Sequence, residues 1–339
     1  MSARIIKNIL LVRTDRIGDV VLSLPMLPEL KRKYPAAKIT VMVRSYTKDL
    51  VAHHSCVDDV ILWEEGKTAA EYVRLLEQRS FDMAIIPYPR FELAWIMFRA
   101  GIPVRVGTGY RWYSFLFNKR TYEHRKDAQK HEAEYNINLL RSIGITPSER
   151  LRFEFAVTPA VQQRVDRRLF TLHLEKFVVL HAGSGGSARD WSIANFARLG
   201  EALHKELGYT IVLTGGANEK DLVASLAQQM AVNAENLCGE FSIEELAALF
   251  QRAALFVSNS TGPLHIAAMM GTPVAAFYPP IRQCSAVRWG PYTEKKAVFT
   301  ADNAKCTLCQ GGECRSNICM DQITVEQVMD SVKQLIPHA

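Results

Sequence analysis

The sequence predicts a two-unit α/β protein in which each unit is a doubly wound parallel sheet covered by helices. Three observations lead there. The chain has 339 residues, more than a single hydrophobic core usually serves and enough for two α/β units of ordinary size. Its hydrophobic share of 48% and charged share of 22% are those of a globular enzyme, not of a disordered or coiled-coil chain. Along it, short apolar runs rich in β-branched residues alternate with amphipathic stretches, the pattern of strands buried on both faces between covering helices.

The elements follow in that order. Residues 5–12 read as a strand, 20–34 as a helix and 38–43 as the next strand. Strand 59–63, a helix over 68–78, strand 83–86 and a helix over 91–100 continue the alternation. Residues 107–130 show no period and are rich in Arg, Lys and Tyr. They read as a surface loop, and loops of that length in compact domains usually carry function. A helix over 131–142 and a proline-containing connection over 144–158 close the first half. The second half repeats the scheme: helix 159–174, strand 177–181, helix 193–207, strand 210–213, helices 218–230 and 242–252, strand 255–258, a helix from 262 and strand 274–277. This divides the chain into domains 1–158 and 159–339. Ligands of such sheets bind outside the carboxyl ends of the strands, which directs attention to the loops after Val12, His181, Leu213 and Ser258.

Charge and targeting signals narrow the function class. The N-terminal segment lacks the apolar length and cleavage site of a secretory signal, and no run of about 18 apolar residues occurs to span a membrane. A cytoplasmic protein is expected, and in that reducing compartment the seven cysteines are not a disulfide framework. The net charge of +6 is unevenly placed: Arg90, Arg99, Arg105, Arg111, Lys119, Arg120, Arg125, Lys126 and Lys130 face only Glu92, Glu123 and Asp127. Such a stretch suits an anionic partner or is simply a solvated face. Its aromatics, among them Tyr110, Trp112 and Phe115, could stack on bases, but contact with lipid or sugar is the expectation, and no nucleic-acid partner is assigned.

Four loops could carry chemistry. After the first strand, Arg13-Thr14-Asp15-Arg16-Ile17-Gly18-Asp19 delivers Asp19 to a helix start. With Gly18 its only glycine, this is no dinucleotide fingerprint. Asp19 either complements the helix dipole or, at the carboxyl end of a strand, serves as a general base toward an acceptor hydroxyl. Arg13 and Arg16 beside it could steer an anionic acceptor. In the second half, Ser260, Thr261 and the backbone from Gly262 can cradle a pyrophosphate at a helix N-terminus; the plainer alternative is an N-cap followed by Pro263, which leaves His265 unexplained. The loop His181 to Arg189 offers Ser184 and a cation for bidentate phosphate pairing, and Gly215, Gly216 and Glu219 follow the next strand, with Glu219 placed to accept from ribose hydroxyls. Either glycine-rich loop alone could be no more than a tight turn.

Together the segments RTDRIGDVVLSLP, HAGSGGSARDW, LTGG and SNSTGPLHIAAMMGTPVAAFYPP resemble those of family-9 glycosyltransferases, the bacterial heptosyltransferases of lipopolysaccharide core assembly. The resemblance runs from residue 9 to about residue 325. It implies a GT-B fold, two Rossmann-like doubly wound domains facing across a cleft, with acceptor on the first domain, donor on the second, and the last helix able to pack back on the first. It implies an inverting, metal-independent transfer from a nucleotide sugar, ADP-heptose, to an anionic lipid A–inner core glycolipid, with no further cofactor and with peripheral contact at the inner membrane surface. By the same resemblance Asp19 is the base and Thr261, Gly262 and His265 contact donor phosphates. The full donor set is then Ser184, Arg189, Gly215, Gly216, Glu219, Ser260, Thr261, Gly262 and His265; the acceptor set is Arg13, Arg16, Arg90, Arg111, Lys119 and Arg120. Two positions depart from the family's pattern: Ser260 stands where an Asp precedes Thr-Gly, and Arg189 where a Lys precedes an aromatic. A different nucleotide-sugar donor is therefore an alternative, as are a nucleotide-sugar epimerase and a binding protein without turnover. Cys306, Cys309, Cys314 and Cys319 could share a zinc ion, although only the first pair has the customary spacing and free thiols are the plainer reading.

Overall fold

The computed structural model describes residues 5–186, 189–302 and 319–336. It separates into two units, one formed by residues up to 126 and 130–156, the other by 127–129 and the chain from 157 onward.

The first unit holds a six-stranded sheet of β1 (Asn8–Val12), β2 (Lys38–Arg44), β3 (Asp59–Trp63), β4 (Met83–Ile85), β5 (Val104–Thr108) and β6 (Lys119–Thr121), in the order β3-β2-β1-β4-β5-β6. Every pairing is parallel, with Ile9 of β1 opposite Ile39 on one side and Met83 on the other. The second unit holds β7 (Phe177–His181), β8 (Thr210–Leu213), β9 (Ala234–Asn236), β10 (Phe256–Asn259), β11 (Val274–Tyr278) and β12 (Lys296–Thr300), in the order β12-β11-β10-β7-β8-β9, again all parallel. Counted from its own first strand, each unit has the Rossmann order 3-2-1-4-5-6, and the doubly wound expectation holds in both. This order has a consequence for function. The winding reverses between β1 and β4 in the first unit and between β7 and β10 in the second, and a crevice opens beyond the strand ends at such a reversal.

Central strands are apolar along most of their length because helices cover both of their faces, and their polar residues stand at the strand ends. Ile9, Leu10, Leu11 and Val12 are at most 2% exposed, and β7 and β11 are buried at every position. The strands absent from the sequence reading are the peripheral ones. β6 is the basic tripeptide Lys-Arg-Thr and β9 is Ala-Glu-Asn, edge strands with too little apolar surface to signal themselves; β12 half-buries alternate residues and exposes the others. β5 was hidden by Arg105, whose guanidinium turns back to the carbonyls of Leu116 and Ile102.

Some elements differ from expectation. The single helix over 20–34 is instead two, Ile17–Val21 and Met26–Lys33, joined by turns through Ser23 and Pro25, so that Asp19 lies inside a five-residue helix rather than before a long one. The segment 107–130 is not wholly loop, since β6 and short 3-10 turns interrupt it. The helix Phe91–Arg99 buries Leu93, Ala94, Ile96 and Met97 against the sheet and leaves Phe91, Trp95 and Phe98 outward. In the last helix, Val325–Leu335, residues Val325, Val328, Met329 and Val332 enter the core of the second unit, against the helix Ile193–Leu207 and β12. Its Thr324–Gln327 capping box fixes where it starts.

Candidate functional site

In the first unit the loop after β1 is organised by a buried cation. Arg13 is 1% exposed, and its guanidinium reaches Asp19 Oδ1 at 2.5 Å, Asp15 Oδ1 at 2.9 Å and Glu132 Oε1 at 3.8 Å. Its Nη1 also donates to Asn136 Oδ1 at 3.4 Å, and Asn136 in turn donates to the carbonyl of Leu22 at 3.0 Å. Asn136 and Glu132 come from the helix Glu132–Asn138, so this helix clamps the β1 loop from across the sheet end. Glu132 is shared with Arg125, which gives it a second cation. Burial alone would depress the Arg13 guanidinium, but three carboxylates more than offset that and raise it.

The carboxylates are unequal. Asp15 is pushed up to about 7, chiefly by burial, with Arg13 pulling against the shift and Asp19 adding to it. Its contact with Arg13 is ionic and not aligned as a hydrogen bond, since Asp15 Oδ1 has no hydrogen-bond partner among the described residues. Asp19 keeps 18% of its side chain exposed while one oxygen is gripped by Arg13. The outcome is an oriented carboxylate at the carboxyl end of β1 with a face toward solvent. Tyr88, on the loop after β4 across the switch point, lies 6.0 Å from the Arg13 guanidinium and completes the surround.

The acceptor set is therefore divided. Arg13, expected to touch an acceptor, is buried and ion-paired with three carboxylates; its place is behind Asp19, not at the surface. Arg16 and Arg90 are exposed at the starts of the helices that follow β1 and β4. Arg111, Lys119 and Arg120 are exposed farther along, with Arg120 donating to the Phe117 carbonyl at 2.8 Å, and among the described residues no recorded contact joins them to Asp19. Sequence reasoning missed Asp15, Glu132, Asn136 and Tyr88. A run of two acids and two arginines around one glycine was the available signal for Asp15, whereas nothing local marks Glu132 or Asn136, more than a hundred residues downstream.

In the second unit three loops meet at the end of the sheet. Asn259, the last residue of β10 and wholly buried, donates to the Ala182 carbonyl and accepts from the Trp191 amide, each at 2.7 Å, and so ties both ends of the loop after β7 to β10. Trp191 anchors that loop from below: its ring stacks on Phe277 at 4.1 Å and its indole N–H donates to the Ile323 carbonyl at 2.9 Å. Gly185 and Gly186 turn the loop with φ of +56° and +72°, conformations side chains rarely adopt. Glu219 accepts from the Gly216 amide at 2.8 Å and leans over Gly183, where a methyl group would stand 2.1 Å from its Oε1. Ser184 and Glu219 thus converge, together with Gly215 and Gly216 on the loop that carries Glu219.

Two polar groups behind them, His181 and Asp190, were not foreseen. His181 is buried, bonded through Nδ1 to Thr214 Oγ1 at 3.0 Å, and lowered to about 4 by burial against the opposing pull of Glu219. Asp190 is raised to about 6 by burial, with the hydrogen bond from Ser184 Oγ at 3.0 Å opposing and Glu219 adding to the shift. Beside it, Arg189 is half-buried, and no ion pair of its side chain is recorded among the described residues.

At β10 the helix Gly262–Met269 begins with Thr261 as its N-cap, yet Thr261 makes no side-chain capping bond. The plain N-cap reading accordingly accounts for the helix boundary but not for the threonine hydroxyl. The Tyr278 hydroxyl donates to the Trp289 carbonyl at 2.7 Å. His265 is 5% exposed, in the body of a helix buried almost all round.

Of the cysteine cluster, Cys306, Cys309 and Cys314 lie outside the described residues, and Cys319 is 1% exposed in the core. Elsewhere His54, Cys56 and Glu154 gather their ligand atoms within 4.8 Å of one another. The Cys56 amide donates to His54 Nδ1 at 3.1 Å, which places the ring proton on Nε2 and leaves neither ring nitrogen free for a cation in this arrangement.

The chain matches the model of glycosyltransferase family 9 (heptosyltransferase) over residues 70–319. A Haemophilus influenzae protein named only as a glycosyltransferase is 29% identical over 304 residues, covering 85% of this chain and 87% of its own. Lipopolysaccharide heptosyltransferase 2 of Salmonella typhimurium is 27% identical, covering 80% and 83%. Among solved structures, the Escherichia coli ADP-heptose lipopolysaccharide heptosyltransferase II superposes with a TM-score of 0.81 at 23% identity, over 97% of this chain and 98% of that one, and shares its fold. Glycosyl transfer therefore takes precedence over the epimerase and binding-protein readings, and this chain belongs to glycosyltransferase family 9.

Proposed function

We propose that the protein transfers heptose from ADP-heptose to a hydroxyl of an anionic lipopolysaccharide-core acceptor, with inversion at the anomeric carbon and Asp19 as general base. The observation that carries this reading is the grip of buried Arg13 on one oxygen of Asp19, which orients the other toward solvent at a sheet switch point. A carboxylate so held accepts the acceptor's hydroxyl proton as that oxygen attacks the anomeric carbon. The bond from the anomeric carbon to the diphosphate breaks in the same displacement, and ADP leaves carrying the electron pair.

The second unit supplies the donor cradle in this reading. Glu219 accepts from the ribose hydroxyls. Arg189, the Thr261 hydroxyl and the amides at the start of the helix Gly262–Met269 take the growing charge of the departing diphosphate, the place where fixed donors contribute most to rate. The relatives support the donor and acceptor by their names, one as an ADP-heptose enzyme and another as a lipopolysaccharide heptosyltransferase. Ser260, where the family pattern has an acid, makes the donor sugar the first thing to assay. Arg16 and Arg90, exposed on either side of the switch point, meet the acceptor's anionic groups.

Asp19→Asn tests the base. Heptosyl transfer to core oligosaccharide should fall by about 10²- to 10⁴-fold, the usual contribution of a general base, while the calorimetric Kd for ADP stays within a few-fold. Transfer at near wild-type rate by this variant would remove Asp19 from the chemistry.

A further inference from the structure

The first unit carries an aromatic face that no step of glycosyl transfer uses. On the helix Phe91–Arg99, Phe91, Trp95 and Phe98 form one outward stripe and are 43%, 39% and 45% exposed. Trp112 extends it: 74% exposed, its ring stacks on Phe91 at 5.0 Å. Phe115, 64% exposed, stands on the 3-10 turn packed against the same helix. The rings are in contact with one another, Phe91 with Trp95 at 6.3 Å and Trp95 with Phe98 at 6.0 Å, so this is a continuous patch and not scattered surface residues. Patches of that kind mark interaction sites.

The rim identifies the partner. Arg90, Arg99 and Arg111 border the patch, each adjacent in sequence to one of its rings, with Arg99 set 5.7 Å over the Trp95 ring. Glu92 is the one acid within the helix. Rings with Trp prominent, rimmed by arginines, match the boundary between lipid headgroups and acyl chains of an anionic bilayer. A second copy of the chain fits less well, because a two-fold contact lays the same patch on itself and brings the arginine rims together. No helix among the described residues is long and apolar enough to cross a membrane, so attachment through a surface is what this face can provide.

We infer that the face formed by Phe91, Trp95, Phe98, Trp112 and Phe115 docks the protein on an anionic membrane surface. This deepens the acceptor reading above, on which its biological purpose rests: an enzyme whose acceptor is lipid-linked gains local concentration by residing where the lipid is.

The test is sedimentation of the full chain with vesicles of phosphatidylethanolamine and phosphatidylglycerol, or of phosphatidylcholine alone, neither containing any glycan. The wild type should bind the anionic vesicles and bind the neutral ones about 100-fold more weakly, as expected for three cations near an anionic surface. The triple variant Trp95→Ser, Phe98→Ser, Trp112→Ser should lose anionic-vesicle binding at least tenfold while its thermal midpoint, ADP affinity and transfer to delipidated core oligosaccharide are unchanged. Arg99→Gln should weaken binding several-fold and steepen no other property. Absence of wild-type vesicle binding, or undiminished binding by a folded triple variant, overturns the inference. So does a concentration-dependent dimer that the triple variant abolishes, since the face would then join two copies. Transfer to soluble acceptor is read separately: vesicle binding without transfer would sink the proposed activity and leave the docking face standing, and transfer without vesicle binding would do the reverse.

Discussion

Replacing Arg13 by Met keeps most of the side-chain volume and removes the charge, leaving Asp15, Asp19 and Glu132 to face one another. These side chains are 13%, 18% and 2% exposed, and only Glu132 retains a second cation, Arg125. Each ion pair at such distances is worth about 4–7 kcal/mol gross at an effective dielectric of 20, and breaking a buried pair from one side costs about 3–5 kcal/mol net. A loss of about 4 kcal/mol is therefore expected, read as a fall of the first unit's thermal midpoint on the order of 10 °C. The loss should depend on pH in a particular direction. In the wild type the Asp15 carboxyl, raised to about 7 from an unfolded value near 3.8, releases its proton around neutrality beside the Arg13 guanidinium. Without that cation the folded variant holds the Asp15 proton to still higher pH. Above pH 7 the folded variant thus binds more protons than the folded wild type, and the deficit grows as pH rises. Denaturant titrations at pH 5 and pH 8 measure it, and adding Asp15→Asn to the variant should recover part of the pH 8 loss by removing one of the stranded carboxylates. A deficit below 1 kcal/mol at pH 8, or no recovery from the second substitution, would refute the view of Arg13 as the charge that assembles this loop.

The donor side gives two more expectations. Asp190 is raised to about 6 from an ordinary value of 3.8, so across that interval the native state holds a proton the unfolded state has lost, and this group's contribution to stability declines as pH rises. Asp190→Asn should accordingly gain on the wild type in thermal midpoint between pH 4 and pH 7; a constant difference would mean that the carboxyl is not desolvated. At Gly183 the added methyl of Gly183→Ala would displace the Glu219 carboxylate, a movable side-chain end, and with it the bond to the Gly216 amide. Calorimetry should then show ADP binding weakened about tenfold, roughly the 1.4 kcal/mol of one well-placed hydrogen bond, with little change in stability. Unaltered ADP affinity would remove Glu219 from the nucleotide site.

Much of this protein is legible along the chain because the physics that writes it is local. A strand covered by helices on both faces is apolar along most of its length, so the runs at β1, β7, β8, β10 and β11 announce themselves. A helix that starts at a capping box, as at Thr68 and Ser242, announces its own boundary. The loops after those strands were found for the same reason: small, polar and glycine-rich residues stand out between apolar runs. The edge strands Lys119–Thr121 and Ala234–Asn236 did not stand out, because these two short segments carry no apolar run, unlike the edge strand Asp59–Trp63.

What only the tertiary structure decided is pairing at a distance. The order of the strands, which locates each switch point, follows from hydrogen bonds between segments far apart in the chain. In the sequence Arg13 and Arg16 are equivalent neighbours of Asp19; in the fold one is buried under three carboxylates and the other is in solvent, because the helix Glu132–Asn138 closes over the first and not the second. Asp190 stands in the sequence between a cation and an aromatic; in the fold Trp191 enters the core and leaves Asp190 half-buried. Burial is a property of what packs against a residue, and a charged group's energy is set by burial, so the residues a site depends on most are those the local sequence marks least.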